Sequence, residues 1–156
     1  MKKIVLFDID YTLFDTDNFK KTNLKEYTLY KETVNVLSKI SKISELGIFS
    51  QGGNDFQKEK LNKTNIHKFF SGENIHIFEE KEINLNNVLL KYKDSKIILI
   101  DDKLGILHMA KKLLPSVCTV WVKRGIYAQN QKDIKDFSPD IKVTDLRDII
   151  PFIENC

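Results

Sequence analysis

The sequence predicts an α/β fold, with a parallel sheet of about five strands covered by helices on both faces. Short apolar segments alternate along the chain with segments of helical periodicity, the pattern of a β-α-β succession. One segment, residues 97–100, is an uninterrupted run of Ile and Leu, as expected of a central parallel strand buried on both faces. The length of 156 residues and a hydrophobic content of 42% suit a single domain spanning residues 1–156.

Each predicted strand is a short, largely apolar segment, and the last of these segments is the shortest but one. They are expected at residues 4–7, 48–49, 75–78, 97–100, 117–122 and 141–143. Between the first two strands, apolar residues near a 3.6-residue period predict a long helix over residues 24–43. Gly47 is expected to end the final turn of that helix.

The remaining helices have recognisable start or stop signals. They are expected at residues 54–62, from residue 84 onward, at 104–114 and at 145–153. Asn54 and Asn84 are each expected to cap a helix N-terminus, and Pro115 stops the helix before it. Residues 124–140 are mixed and polar, which predicts a long loop.

Charge and composition exclude several classes of protein. The net charge of +3, from 25 basic and 22 acidic residues, is too small to indicate nucleic-acid binding. No apolar run approaches the roughly 18 residues of a membrane span, and the first apolar stretch is too short for a signal peptide. Cys118 and Cys156 suggest neither a disulfide framework nor a metal site. We therefore expect a cytoplasmic protein with reduced thiols.

Two of the predicted strands end in pairs of acids. Asp8 and Asp10 follow the first strand, and Asp101 and Asp102 follow the fourth. If these strands are neighbours, about 4.8 Å apart, their carboxyl ends bring the acids together. Carboxylates at such distances need a proton or a cation, and an oxygen-rich site favours Mg²⁺. A carboxylate beside a cation can also act as a nucleophile, which indicates phosphoryl chemistry.

A second group of residues suits a phosphate. The second strand ends in Ser50-Gln51-Gly52-Gly53 directly before a helix, so a hydroxyl, backbone N–H groups and a helix N-terminus come together. Lys81 follows the third strand and can neutralise a further phosphate oxygen. Lys60, Lys63 and Lys91 are alternatives for that role.

These motifs resemble those of the haloacid dehalogenase-like (HAD) superfamily, and in particular of its phosphatases. The family's first motif, D-x-D-x-[TV], is matched by Asp8-Ile9-Asp10-Tyr11-Thr12, and its second, a Ser or Thr after an apolar strand, by Ser50. The third, a Lys before a helix, is matched by Lys81, and the fourth, an acidic pair after an apolar strand, by Asp101-Asp102. Many relatives have a spaced pair instead, and the position of its second acid is occupied here by Gly105.

The resemblance implies roles for the four acids. Asp8 would be the nucleophile that becomes an aspartyl-phosphate, and Asp10 would protonate the leaving group and then activate water. Asp8, the Asp10 backbone carbonyl and Asp101 would bind Mg²⁺, with Asp102 as a second or water-mediated ligand.

The same resemblance implies how the phosphate is held. Ser50 and Lys81 would bind it during transfer, and Thr12 would support the loop that carries Asp10. The presence of Asp10 is evidence against a dehalogenase, whose chemistry does not need that acid.

The family architecture adds an expectation about access to the site. A Rossmann-like three-layer sandwich with strand order 5-4-1-2-3 would place the first strand beside the fourth. The intervals before Ser50 and between Ser50 and Lys81 are too short for a sizeable cap domain, so an open site is expected. The resemblance to capless family members implies either a large phosphorylated substrate or closure of the site by a homo-oligomer.

The predicted function is a Mg²⁺-dependent phosphomonoester hydrolase. Two alternatives remain open: a phosphotransferase that passes the phosphoryl group to an acceptor other than water, and a non-catalytic binding or regulatory module. Retention of both the nucleophile and the acid–base residue argues against the module. The phosphorylated substrate is small or macromolecular, and Arg124, Gly125 and Tyr127 are candidate contacts at the pocket rim.

Overall fold

All strands of the computed structural model, which describes residues 1–156, run parallel in one six-stranded sheet. The strands are β1 (Lys3–Phe7), β2 (Glu45–Gln51), β3 (Ile75–Phe78), β4 (Lys96–Asp101), β5 (Cys118–Val122) and β6 (Ile141–Val143). Their order in the sheet is β3-β2-β1-β4-β5-β6. The predicted order is therefore confirmed, with the short terminal strand added beside β5.

Six α-helices lie between the strands, and a seventh follows the last strand. They are α1 (Thr16–Lys21), α2 (Thr33–Ile40), α3 (Asn54–Lys63), α4 (Lys81–Lys91), α5 (Leu104–Leu113), α6 (Gly125–Gln129) and α7 (Ile149–Asn155). None of them is both long and apolar enough to span a bilayer.

Alternating side chains of the central strand pack against helices on opposite faces of the sheet. Val5 and Phe7 belong to a core cluster that includes residues of α2, α3 and α7. Ile4 and Leu6 belong to a second cluster with residues of α4 and α5. Because successive side chains of a strand point to opposite faces, the molecule has three layers, as predicted.

The helix predicted over residues 24–43 is wrong in its first half. The chain turns at Asn23 and Leu24, which have φ values of 56° and 62°, and helix α2 begins only at Thr33. Leu29 forms an isolated antiparallel bridge with Phe14 instead. The apolar residues of this stretch pack onto the core from an extended segment, so their spacing matched a helical period without a helix.

Three smaller predictions are also corrected. Gly47 lies inside β2 and does not end a helix. Helix α4 begins at Lys81, three residues before the predicted cap Asn84. The segment predicted as a long loop contains the short helix α6.

The cysteines are paired, contrary to the expectation of reduced thiols. Cys118, at the start of β5, forms a disulfide with Cys156, the last residue. Helix α7 packs into the first core cluster and brings Cys156 to the start of β5. The cysteines are 38 positions apart in the sequence, and no local pattern predicts that they lie close together.

Candidate active site

Three buried carboxylates meet at the carboxyl ends of β1 and β4. These strands are neighbours in register, with Phe7 opposite Ile100, and the Asp8 backbone N–H donates to the Ile100 carbonyl at 3.0 Å. One carboxylate oxygen from each of Asp8, Asp101 and Asp102 lies within 4.8 Å of the other two. The structure thus brings together acids from both predicted motifs.

Lys81 lies between two of these carboxylates. Its ammonium is 3.2 Å from Asp8 Oδ1 and also hydrogen-bonds to Asp101, and its side chain is only 1% exposed. Burial by itself lowers the pKa of Lys81, but the negative charges of Asp101 and Asp8 outweigh burial and raise it. The lysine therefore remains charged inside the acidic cluster. The position of Lys81 in the first turn of α4 carries it there.

The cluster holds more negative charge than one lysine neutralises. Burial raises the pKa of Asp8 to about 6, opposed by Lys81 and reinforced by Asp101. Burial, together with the negative charges of Asp8 and Asp101, raises the pKa of Asp102 to about 10. One oxygen of Asp102 is buried without a hydrogen-bond partner. A hard divalent cation fits this set, because it supplies positive charge and prefers oxygen ligands.

Asp10 is held by a separate set of polar groups. Lys60 Nζ lies 2.8 Å from Asp10 Oδ1, Thr16 Oγ1 donates to the same oxygen at 2.9 Å, and Gln57 Nε2 donates to Oδ2 at 2.9 Å. Neither Thr16 nor Gln57 was predicted as a site residue from the sequence, and Lys60 was predicted only as an alternative phosphate ligand. All the oxygens of this carboxylate are thus engaged by protein groups.

Ser50 is fully buried at the end of β2 and accepts a hydrogen bond from Gln57 Nε2 at 2.9 Å. Gln57 therefore joins Ser50 to Asp10. Gly52, with φ of 142°, makes room for this side chain, since a Cβ there would lie 2.9 Å from Gln57 Cγ. The Gly52 N–H donates to the Phe78 carbonyl at 2.9 Å, so it is not free for a phosphate as the cradle prediction supposed.

Arg124, which was predicted as a candidate substrate contact, is instead bound by other residues of the protein. Its guanidinium lies 3.6 Å from the centre of the Tyr30 ring and pairs with Glu32. It also donates to the backbone carbonyl of Thr12, which is fully buried in the loop after Asp10. Arg124 thereby ties the end of β5 to that loop.

A pocket of about 450 Å³ opens beside these residues. It is lined by Asp8, Asp10, Tyr11, Thr16, Phe19, Lys20, Leu24, Gln51, Phe56, Lys60, Asp102, Lys103 and Tyr127. A larger cleft of about 560 Å³ lies beside Trp121 and the segment before β6, but it contains none of the predicted site residues. A ligand that reaches the acids would therefore bind in the smaller pocket, which Asp8, Asp10 and Asp102 line.

Solved structures share this fold at low sequence identity. A protein from Burkholderia xenovorans LB400, named as a haloacid dehalogenase-like hydrolase, has a TM-score of 0.81 at 20% identity, over 99% of this chain and 97% of that one. The magnesium-bound HAD-hydrolase YfnB from Bacillus subtilis has a TM-score of 0.77 at 12% identity, over 97% and 98%. A protein named as a phosphoglycolate phosphatase, from Haemophilus somnus 129PT, has a TM-score of 0.75 at 14% identity, over 97% and 98%.

The fold is therefore that of the haloacid dehalogenase-like hydrolases. The resemblance inferred from the motifs is confirmed at this level, while identities of 12–20% establish the fold alone. L-2-haloacid dehalogenases also have this fold, so the fold does not select the reaction. No protein-family model and no curated protein sequence matches the chain.

Proposed function

We propose that the protein is a Mg²⁺-dependent phosphomonoester hydrolase that works through an aspartyl-phosphate on Asp8. The observation that carries this proposal is the buried Lys81 ammonium between Asp8 and Asp101 in a cluster of three carboxylates. A lysine and a divalent cation around one reactive carboxylate suit the transfer of a phosphoryl group, whose oxygens need compensating positive charge.

The carboxylate cluster would hold the metal. Asp8, Asp101 and the Asp10 backbone carbonyl are the proposed ligands, and the unpartnered oxygen of Asp102 is available as a further or water-mediated one. When bound, Mg²⁺ would neutralise charge on the phosphate and on these acids. Lys81 and Ser50 would hold the remaining phosphate oxygens.

Asp8 and Asp10 divide the proposed reaction into two steps. A carboxylate oxygen of Asp8 forms a bond to phosphorus while the bond to the alcohol oxygen breaks, and Asp10 gives that oxygen a proton. Asp10 then takes a proton from a water molecule that attacks phosphorus, which releases inorganic phosphate and restores Asp8. The contacts from Lys60, Gln57 and Thr16 orient Asp10 for both proton transfers.

The held position of Asp10 favours a phosphatase over a dehalogenase. A halide leaves as a stable anion, whereas an alkoxide leaving group needs a proton from a positioned acid. Three polar side chains hold the Asp10 carboxylate in one position, which is consistent with such a positioned group.

Phosphate release from p-nitrophenyl phosphate tests the proposal. We expect turnover that requires Mg²⁺ and falls by at least about a thousandfold in Asp8→Asn, since this substitution removes the nucleophile. Asp94→Asn is the matched control, because Asp94 is exposed and makes no ion pair, and it should retain parent activity. Metal-independent turnover, or full activity in Asp8→Asn, would contradict the proposed mechanism.

A further inference from the structure

The pocket above the acids has an apolar, solvent-exposed rim. Leu24, Phe56 and Tyr127 line it, and their side chains are 51%, 43% and 47% exposed. A cluster of exposed large apolar side chains around one concave site is typical of a ligand-binding site. Tyr11 and the almost fully buried Phe19 also line the pocket.

The ring of Tyr11 is fixed in place at this rim. Tyr11 has φ of 61°, and its hydroxyl accepts a hydrogen bond from Lys20 Nζ at 3.0 Å. The ring packs directly on Gly125, whose φ is 77° and where a Cβ would lie 2.4 Å from Tyr11 Cδ1. Two unusual backbone conformations therefore hold a flat aromatic surface at the mouth of the pocket, so little ordering is required when a ligand binds.

Few polar groups of the lining are free to recognise a hydroxylated leaving group. Thr16 and Lys60 are bound to Asp10, and Lys20 is bound to the Tyr11 hydroxyl. Beyond the acids, the remaining polar side-chain groups are those of Gln51 and Lys103 and the Tyr127 hydroxyl. A sugar needs several directed hydrogen bonds for recognition, which this rim does not offer, whereas an aromatic ring needs apolar and aromatic surface.

The rim also favours an anion over a cation. Lys103 Nζ lies 5.8 Å from the centre of the Tyr127 ring, and Lys20 stands beside Tyr11. Both lysines attract a phosphate dianion to the pocket and disfavour a positively charged leaving group. The volume of about 450 Å³ suits a small molecule that places its phosphate on the acids and its ring against this wall.

We propose that this site takes small phosphomonoesters whose alcohol carries a flat aromatic ring, with Tyr11, Phe56 and Tyr127 as its contacts. This inference rests on the proposed function, and it names the substrate class. A synthetic aryl group and a nucleobase share the relevant chemistry, so the test includes one substrate of each kind.

The test compares three primary-alcohol phosphates, because their leaving groups have similar intrinsic reactivity: 2-(1-naphthyl)ethyl phosphate, adenosine 5′-monophosphate and glycerol 1-phosphate. With Mg²⁺, we expect kcat/KM for at least one ring-bearing substrate to exceed that for glycerol 1-phosphate by about tenfold or more. Tyr127→Ala should lower this ratio by about fivefold, the size expected for the loss of one aromatic contact. Leu113→Ala is the control, because Leu113 is also exposed, at 46%, but lies at the far end of α5.

Binding gives a second readout that does not need turnover. Asp8→Asn should bind 2-(1-naphthyl)ethyl phosphate several-fold more tightly than glycerol 1-phosphate, and Tyr127→Ala in that background should remove the difference. Turnover of all three substrates at equal kcat/KM, with no effect of Tyr127→Ala on the ratio, would overturn this inference and leave the proposed function standing. Absence of turnover with every substrate would instead overturn the proposed function.

Discussion

Lys60 is a buried cation whose surroundings are almost entirely aromatic. Its side chain is 4% exposed, and its ammonium lies 5.2, 5.4 and 4.6 Å from the ring centres of Phe14, Phe19 and Phe56. Its one carboxylate partner is Asp10. The ring faces stabilise the charge while the carboxylate fixes its position, so Lys60 and Asp10 depend on each other.

Replacing this cation should therefore affect both stability and activity. We expect Lys60→Met to lower the free energy of unfolding by about 2 kcal/mol, because it leaves Asp10, which is 26% exposed, without its ionic partner. The proposed turnover of p-nitrophenyl phosphate should also fall, since Asp10 loses the group that orients it. Urea denaturation and steady-state kinetics measure the two effects.

Lys58→Met is the matched control, because Lys58 lies on the same helix but is exposed and makes no ion pair. It should change neither quantity measurably. Equal effects of the two substitutions would contradict a specific role for Lys60.

His76 makes stability depend on pH. Burial lowers the pKa of its ring to about 4, from an ordinary value of 6.5. Its Nε2 lies 2.7 Å from the Tyr92 hydroxyl, which donates its proton to Asn74, so the neutral ring carries its own proton on Nε2. Between pH 6.5 and 4 the unfolded chain binds a proton that the folded protein does not, so stability is lost as pH falls through this range.

The magnitude is modest because the ring is only partly buried. We expect the parent to lose about 1 kcal/mol more than His76→Gln between pH 7.5 and 5, measured by urea denaturation at each pH. Comparison with the variant cancels the titration of the carboxylates. Parallel pH profiles for the two proteins would show that His76 is not responsible.

Among individual site residues, those that belong to a short sequence motif could be predicted from the sequence. The two acidic pairs can be recognised because each directly follows an apolar strand: Asp8 and Asp10 in one case, Asp101 and Asp102 in the other. Gln57 is 47 residues from Asp10, on a helix whose polar composition resembles a solvated surface. Only the folded sheet shows that this helix faces the acid, so no local pattern predicts the contact.

At the scale of elements, strands were easier to predict than helices. Buried parallel strands tend to be continuous apolar runs, and all six strands were located. Only residues 48–49 of β2 were predicted, and β3 and β6 were located although each contains one polar residue. The helical period over residues 24–43 was misleading, because hydrogen bonds to residues 13–15 hold residues 28–30 in an extended conformation. These bonds join segments that are distant in sequence, so periodicity alone cannot distinguish the two outcomes.

Gly47 of β2 lies very close to Leu6 of β1 and to Asn74, the residue before β3. A Cβ at this position would lie 2.7 Å from Leu6 Cδ2 and 2.8 Å from the carbonyl oxygen of Asn74. We expect Gly47→Ala to destabilise the protein by about 1–3 kcal/mol, because backbone and core must both move. Gly105→Ala, on the open side of α5 with nothing near the added carbon, should instead stabilise it by up to about 1 kcal/mol.

Thermal unfolding measures both glycine variants. Opposite signs are the expected result, since the substitution is the same and only the surroundings differ. Destabilisation by both variants would show that the close approach at Gly47 is not the cause.

At the scale of the whole molecule, the Cys118–Cys156 bridge closes the C-terminal part of the chain. Closing a loop of 38 residues lowers the conformational entropy of the unfolded chain, which stabilises the folded protein by about 4 kcal/mol. We expect reduction to lower the melting temperature by about 10 °C. Cys156→Ser should melt at the temperature of the reduced parent and should not respond to the reductant. A parent whose melting temperature is unchanged by reductant would contradict this account.

The same bridge determines whether the protein separates into two fragments after a single proteolytic cut. Residues 131–140 contain neither helix nor strand, and Lys132 and Lys135 are exposed there. A tryptic cut after either lysine would leave Cys118 in one piece and Cys156 in the other, so the two pieces would stay joined. Such a nicked protein should migrate as one band on a non-reducing gel and as two after reduction. The final strand and helix are in this sense a covalently retained subunit, able to remain docked on the sheet after the peptide chain has been opened.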